Sequence, residues 1–274
     1  MLKKFFLFLA FMLLCQNAYA LQNFLPANIK SGEKCDKDIV IELAQEALPE
    51  YEKLFYAVKW LGIQVGTITA SIKGIKAING RKAYELEVIA KTNAFCSAIY
   101  RIDDKFISYM DAQHFYTVRH EVYRREGRYK KDAITDFDNN SKKAHFKNLI
   151  DKSEKVFDIP YGVQDTLSAC YYFRLLPIQV GKKIEYAVYN NEKVYQLFGI
   201  IESKGYIRLP RVGKKPAFYI QPYAQIEGEQ VKKGKASGYF SVDSKRLPLL
   251  AVVQAPMFTE VIASLDTIKY RQNE

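Results

Sequence analysis

Asn79-Gly80-Arg81-Lys82-Ala83-Tyr84-Glu85-Leu86-Glu87-Val88-Ile89-Ala90-Lys91-Thr92 decides the fold class. Asn-Gly is the pair that a two-residue hairpin turn prefers, because both central residues must take positive φ. After it, Tyr84, Leu86, Val88 and Ala90 recur at period two, as in a strand with one face in a core. The same period continues outward on both sides. Residues 55–60 and 67–72 read as strands around Leu61-Gly62-Ile63-Gln64-Val65-Gly66, where two glycines permit a bulge or sharp bend. Downstream, 105–110, 115–125, 130–136, 144–149, 183–189, 193–202, 217–221, 235–242, 248–255 and 259–269 read likewise. Strands at this spacing, parted by Gly, Asn and Asp, predict an antiparallel meander.

One segment departs from it. Over 162–174, Val163, Leu167, Cys170 and Tyr171 fall at helical spacing, with Asp165 placed to cap the start and Pro177 to close the end. Residues 36–48 admit two readings. One is an amphipathic helix with Ile39, Val40, Leu43 and Ala47 on one side, the other a strand over 38–43, and Pro49 ends either.

The N-terminus sets the compartment. Lys3 and Lys4 precede ten apolar residues, 5–14, and Ala18-Tyr19-Ala20 supplies the small residues of a cleavage site. Ten apolar residues are too few to cross a hydrocarbon core of about 30 Å. Cys15 follows bulky Leu14, where a lipidation motif wants a small residue. The expected organisation is a signal peptide over 1–20, an extension over 21–49 and one β-rich domain over 50–271. The mature chain is expected in the periplasm or cell envelope after cleavage near Ala20, without a membrane span.

The 274 residues, 49% hydrophobic and 14% aromatic, exclude a disordered chain. Net charge is +11, and removal of Lys3 and Lys4 leaves a basic protein. Cleavage also removes Cys15, leaving Cys35, Cys96 and Cys170. With three thiols and no C-x-x-C, the pairing stays open and a thiol-redox function is excluded.

Three stretches resemble a known family. Tyr56-x-Val58-x-Trp60-Leu61-Gly62-Ile63-x-Val65-Gly66 is similar to the opening signature of the exported bacterial family called domain of unknown function 3108 (DUF3108). Val163-Gln164-Asp165-x-Leu167-Ser168-x-x-Tyr171-Tyr172-x-Arg174-x-Leu176-Pro177 resembles its central helix. Phe240-Ser241-x-Asp243-x-x-x-Leu247-Pro248, followed by Val261-Ile262-Ala263-Ser264-Leu265, resembles its last hairpin. Met257-Phe258-Thr259 stands where the family often has Gly. The resemblance implies a mainly β exported protein: a large curved antiparallel sheet, a half-open or closed barrel, wrapped round one helix. It implies no reaction. Periplasmic lipoprotein carriers have a loosely similar shape, which is fold analogy only.

Candidate chemistry is sparse. His114 and His120 share strand parity but lack a third ligand nearby, so they read as half-buried rather than metal-binding. Asp136-Phe137-Asp138-Asn139-Asn140 lacks the Gly and the Glu of a calcium loop and reads as a strand end with an Asx turn. Ser168 has no nucleophile elbow around it, and Asp165 and Ser168 read as caps. Glu85 and Glu87 read as solvated strand acids. No cofactor and no metal are expected.

The leading expectation is therefore a non-enzymatic envelope protein that binds a lipid, glycolipid or other envelope ligand between sheet and helix. Tyr56, Val58, Trp60, Leu167, Tyr171 and Arg174 are the candidate cleft residues, Arg174 as a headgroup partner. Lys204, Arg208, Arg211, Lys214, Lys215, Lys232, Lys233 and Lys235 form a candidate basic surface for peripheral contact with an anionic envelope. Nucleic acid is excluded by compartment. The alternatives are a scaffold that pairs through a sheet edge and a cell-wall polymer hydrolase.

Overall fold

The computed structural model describes residues 39–231, 236–255 and 259–270. The signal peptide, most of the extension with Cys35, Lys232, Lys233, Lys235 and Met257-Phe258 lie outside the described residues.

The first half is a meander. β1 (Glu52–Trp60), β2 (Ile63–Ile78), β3 (Arg81–Thr92), β4 (Asp103–Asp111), β5 (Thr117–Glu126), β6 (Tyr129–Asp138), β7 (Lys143–Asn148) and β8 (Glu154–Asp158) each pair antiparallel with the next. Asn79 and Gly80 sit at φ 50° and 75°, and Leu61 and Gly62 at 49° and 80°. Both are the left-handed pairs that two-residue hairpins demand.

The second half returns to the other side of β1. β17 (Thr259–Tyr270) pairs with β1, and outward from it follow β16 (Pro248–Ala255), β15 (Ala236–Ser241), β12 (Gly213–Ile220), β11 (Lys193–Leu209) and β10 (Lys183–Asn190). The two-residue β9 (Gln164–Asp165) closes the series by a parallel pairing with β10. Beyond Gln221-Pro222, β13 (Tyr223–Ile226) continues alongside β11 and carries β14 (Glu229–Gln230). All belong to one sheet, with β8 at one end and β9 at the other, and the sheet is not closed.

α2 (Thr166–Leu175) lies in the concavity, seven of its ten residues buried. Leu167 and Tyr171 pack on Ile72, Leu86 and Met110 of β2–β4, whereas Phe173 packs on Ile201, Phe218 and Phe240 across the curve. A helix held from both flanks is what a curved sheet needs to bury its inner face, since one helix face cannot cover it.

Several elements depart from expectation. A second helix, α1 (Ala94–Ile99), joins β3 to β4, capped by the Asn93 side chain on the Cys96 N–H. β8, β13 and β14 are further short strands. Residues 39–49 form neither helix nor strand. Their backbone bonds to the β15–β16 connection instead: Glu42 N–H donates to Val242 O at 2.8 Å and Gln45 N–H to Ser244 O at 3.3 Å. Ile39 and Leu48 are buried separately while Val40 and Leu43 stay exposed.

Candidate functional site

α2 is anchored at both ends by buried polar groups. At its N-terminus the Asp165 carboxylate accepts from the Leu167 and Ser168 backbone N–H groups at 2.7 and 3.1 Å. Ser168 Oγ reciprocally accepts from the Asp165 N–H at 2.9 Å, completing a capping box. The carboxylate also accepts from the Ser108 hydroxyl and, at 3.1 Å, from Thr117. His120 Nε2 stands 3.9 Å from it, and burial pulls that imidazole below its usual range against the opposing pull of the Asp165 carboxylate.

At the C-terminus Arg174 spans to β1. Its two terminal nitrogens donate to the two Glu52 carboxylate oxygens at 2.7 and 2.9 Å, and its Nε to Lys245 O at 3.0 Å. Burial is the largest single influence and works against the guanidinium charge, but the Glu52 hydrogen bond and charge, with Tyr171 and Tyr56, together outweigh it and raise its pKa. Arg174 also lies over the Tyr171 ring. The donors of Arg174 are thus spent inside the protein.

Between these anchors α2 and the sheet leave a partly open cleft. Thr166, Ala169, Cys170 and Phe173 form the helix side; Ile184, Tyr186, Leu197, Phe198, Ile220 and Phe240 form the sheet side, with Pro222 at the bend. No charged residue lines it. The Tyr186 hydroxyl is bonded to Ala169 O at 3.2 Å. Burial pushes the Cys170 thiol up to about 12, which makes it unreactive. The space is about 30 Å³, room for a water or a methyl group.

None of the six cleft candidates lines this cleft, although Tyr56, Tyr171 and Arg174 gather around Glu52. Tyr56 packs with Leu54 and Leu265 and donates to Pro248 O at 2.9 Å; Val58 and Trp60 belong to a cluster with Val65 and Val261. Leu167 and Tyr171 face β2–β4, opposite the cleft, and Arg174 holds Glu52. The actual lining residues come from the second half of the sheet and from the helix face that carries Thr166, Ala169, Cys170 and Phe173. Their signal in the sequence was the apolar parity of residues 184–198, readable as core but not as cavity.

The basic candidates also separate. Lys204 donates to Ile39 O, and Arg211 pairs with Asp266 at 2.9 Å. Arg208, Lys214 and Lys215 stand exposed at the β11–β12 tip, Lys214 over the Tyr206 ring. His114 lies in the turn before β5, stacked on Tyr116, so it does not share a strand face with His120. Glu85 and Glu87 are paired with Lys76 at 2.7 Å and Lys73 at 3.1 Å. Asp138 accepts from the Asn140 N–H, the expected Asx turn. Among the described residues no group of three His, Cys, Asp or Glu side chains is placed to hold a metal.

The family model described as "Protein of unknown function (DUF3108)" matches residues 56–259, and the chain belongs to that family. None of the curated proteins matches. Among solved structures, a beta-barrel-like protein of domain of unknown function DUF1849 from Brucella abortus is similar at 8% identity and TM-score 0.54. The match covers 82% of this chain and 100% of that one. A Bacteroides fragilis structure with a YmcC-like fold aligns at 6% identity and TM-score 0.34, over 84% of this chain and 99% of that one. The Brucella likeness shows a shared curved β fold and no more.

Proposed function

We propose that this member of the family is a non-enzymatic, exported protein of the cell envelope that holds the apolar tail of a lipid or glycolipid between α2 and the sheet. The observation that carries the reading is the uncharged cleft, one wall from the helix and the other from strands β10–β12 and β15. Such a lining recognises by burial rather than by charge. Each buried methylene contributes about 0.8 kcal/mol, so micromolar affinity takes a run of about ten.

A run of that length needs one wall to give, because the resting space is a methyl's worth. α2 is fixed at Asp165 and Arg174. Pro222, in the connection between β12 and β13, is the lining residue outside both helix and strand, and the sheet wall has fewer ties there. Export rests on the n-region, apolar run and Ala18-Tyr19-Ala20 of the first twenty residues. The non-catalytic reading rests on how the Asp165 cluster is used: Ser108, Thr117 and Ser168 are buried and bonded to one another or to the cap.

Titration with a fluorescent fatty acid tests the cleft. Saturable binding at one site, lost in Ala169→Met, supports it; unchanged binding in that variant removes it, because a methionine fills the gap. A second reading, a scaffold that pairs through a sheet edge, is favoured by β8. Its outer side has no strand partner among the described residues, and Val156 on it is 58% exposed. Crosslinking from Val156→Cys to one envelope protein would support that reading in place of the first.

A further inference from the structure

Leu61, Ile63, Phe95 and Ile99 are 65%, 67%, 75% and 68% exposed and stand together at one end of the sheet. Leu61 and Ile63 flank Gly62 at the tip of the β1–β2 hairpin, and Phe95 and Ile99 lie on α1. Asn93 ties the two elements. Its backbone N–H donates to Val65 O at 3.0 Å and its side-chain amide to Gln64 O at 2.6 Å. α1 has its sides reversed: Ala94, Phe95, Ala98 and Ile99 face solvent, whereas Cys96 and Ser97 are half-buried. Beneath them Val58, Val65, Ile102 and Val261 pack with Trp60 and Tyr100. A helix that shows water its apolar side has a partner of matching chemistry.

The charge pattern identifies that partner. Residues 60–66 and 92–100 contain no charged residue. Around them stand Lys59, Lys91, Arg101 and Arg128, the last beside Gly127, whose N–H donates to Arg101 O at 2.8 Å. Of the acids at this end, Asp103 is shared by Lys91 at 3.1 Å and Arg101 at 3.2 Å. Glu260 adjoins Val261, which pairs with Trp60, and its carboxyl is pushed up by burial. Apolar tips, an aromatic layer of Trp60 and Tyr100, and a basic border match the order of a membrane interface from acyl chains to anionic headgroups.

We propose that this face docks on an anionic phospholipid bilayer, with Leu61, Ile63, Phe95 and Ile99 set into the headgroup–acyl boundary. It is separate from the cleft, whose lining shares no residue with it. The basic β11–β12 tip takes no part. The register from Trp60↔Val261 through Ala236↔Val253 to Ala217↔Ser241 carries β12 toward the opposite end of the strands.

The test uses Trp60, the one tryptophan of the chain. Vesicles of phosphatidylglycerol and phosphatidylethanolamine at low salt are expected to sediment the purified protein and shift Trp60 emission to the blue. Phosphatidylcholine vesicles are expected to bind roughly tenfold less or weaker still, since each basic residue near the surface adds to anionic binding. Ile63→Ser with Phe95→Ser changes only exposed side chains, so circular dichroism stays native while vesicle binding falls by about tenfold or more. Absent binding to anionic vesicles, or binding that this double variant leaves intact, overturns the proposal. So does a dimer that the double variant disperses without any vesicle binding, which would assign the face to a second copy of the chain. A fatty-acid titration that fails while vesicle binding survives removes the cleft reading and leaves this one standing.

Discussion

Arg174 and Glu52, 122 positions apart, meet as a doubly hydrogen-bonded ion pair at 2.7 and 2.9 Å, with side chains 3% and 0% exposed. The pair fixes the last turn of α2 to the first strand of the sheet, so it sets where the helix lies in the concavity. Breaking one side leaves a buried charge without its counterpart, at a cost of about 3–5 kcal/mol. Glu52→Gln should lower the unfolding free energy measured in urea by that much, and Glu52→Leu with Arg174→Met should recover a large part of the loss.

The other end of α2 depends on Asp165. Asp165→Ala removes the cap, strands the Ser108 hydroxyl and takes one acceptor from Thr117, which keeps Ser168. Cap loss costs about 1 kcal/mol and each stranded buried group about 1–3 more. We expect a loss near 3 kcal/mol or above in urea unfolding, and a smaller one for Ser168→Ala, which leaves the carboxylate and its two backbone donors in place.

A buried acid pair gives stability a pH signature. Arg124 Nε donates to Glu126 at 2.8 Å and lies 3.7 Å from Asp104. Burial, reinforced by the Glu126 carboxylate, pushes Asp104 up from 3.8 to about 7. The folded chain therefore holds a proton here that the unfolded chain has released. The contribution is full below 3.8 and is lost as pH rises to about 7. Urea midpoints of the wild type minus those of Asp104→Asn should fall across that window. A flat difference would contradict the assignment.

Gly66 is needed for a close approach rather than for an unusual φ. A Cβ there would meet the Lys91 carbonyl oxygen at 2.3 Å, and backbone cannot swing aside. Gly66→Ala should destabilise by about 1–3 kcal/mol as an overpacked site does. Gly205→Ala, where nothing lies within 4 Å, is the control and should stay within about 0.5 kcal/mol.

The strand series was legible because alternation and turn chemistry are local. Asn79-Gly80 and residues 83–92 form the hairpin their pattern predicts, and Asp165 caps α2 as its position suggests. What escaped is what depends on distant partners. Residues 39–49 follow the β15–β16 connection rather than their own propensity, and six-residue α1 is too short for periodicity to reveal. Tyr56 and Leu167 are both inward-facing, but parity cannot say that they face different strands. The Glu52 partner of Arg174 lies in β1, and nothing in the sequence around either residue marks the contact.

Native mass spectrometry of the protein purified from its own envelope, beside Ala169→Met, tests the central claim most directly. The account predicts about one lipid or glycolipid per wild-type chain, recovered by organic extraction, and none on the variant. Wild-type protein that flies empty and takes up no envelope lipid on addition would contradict it.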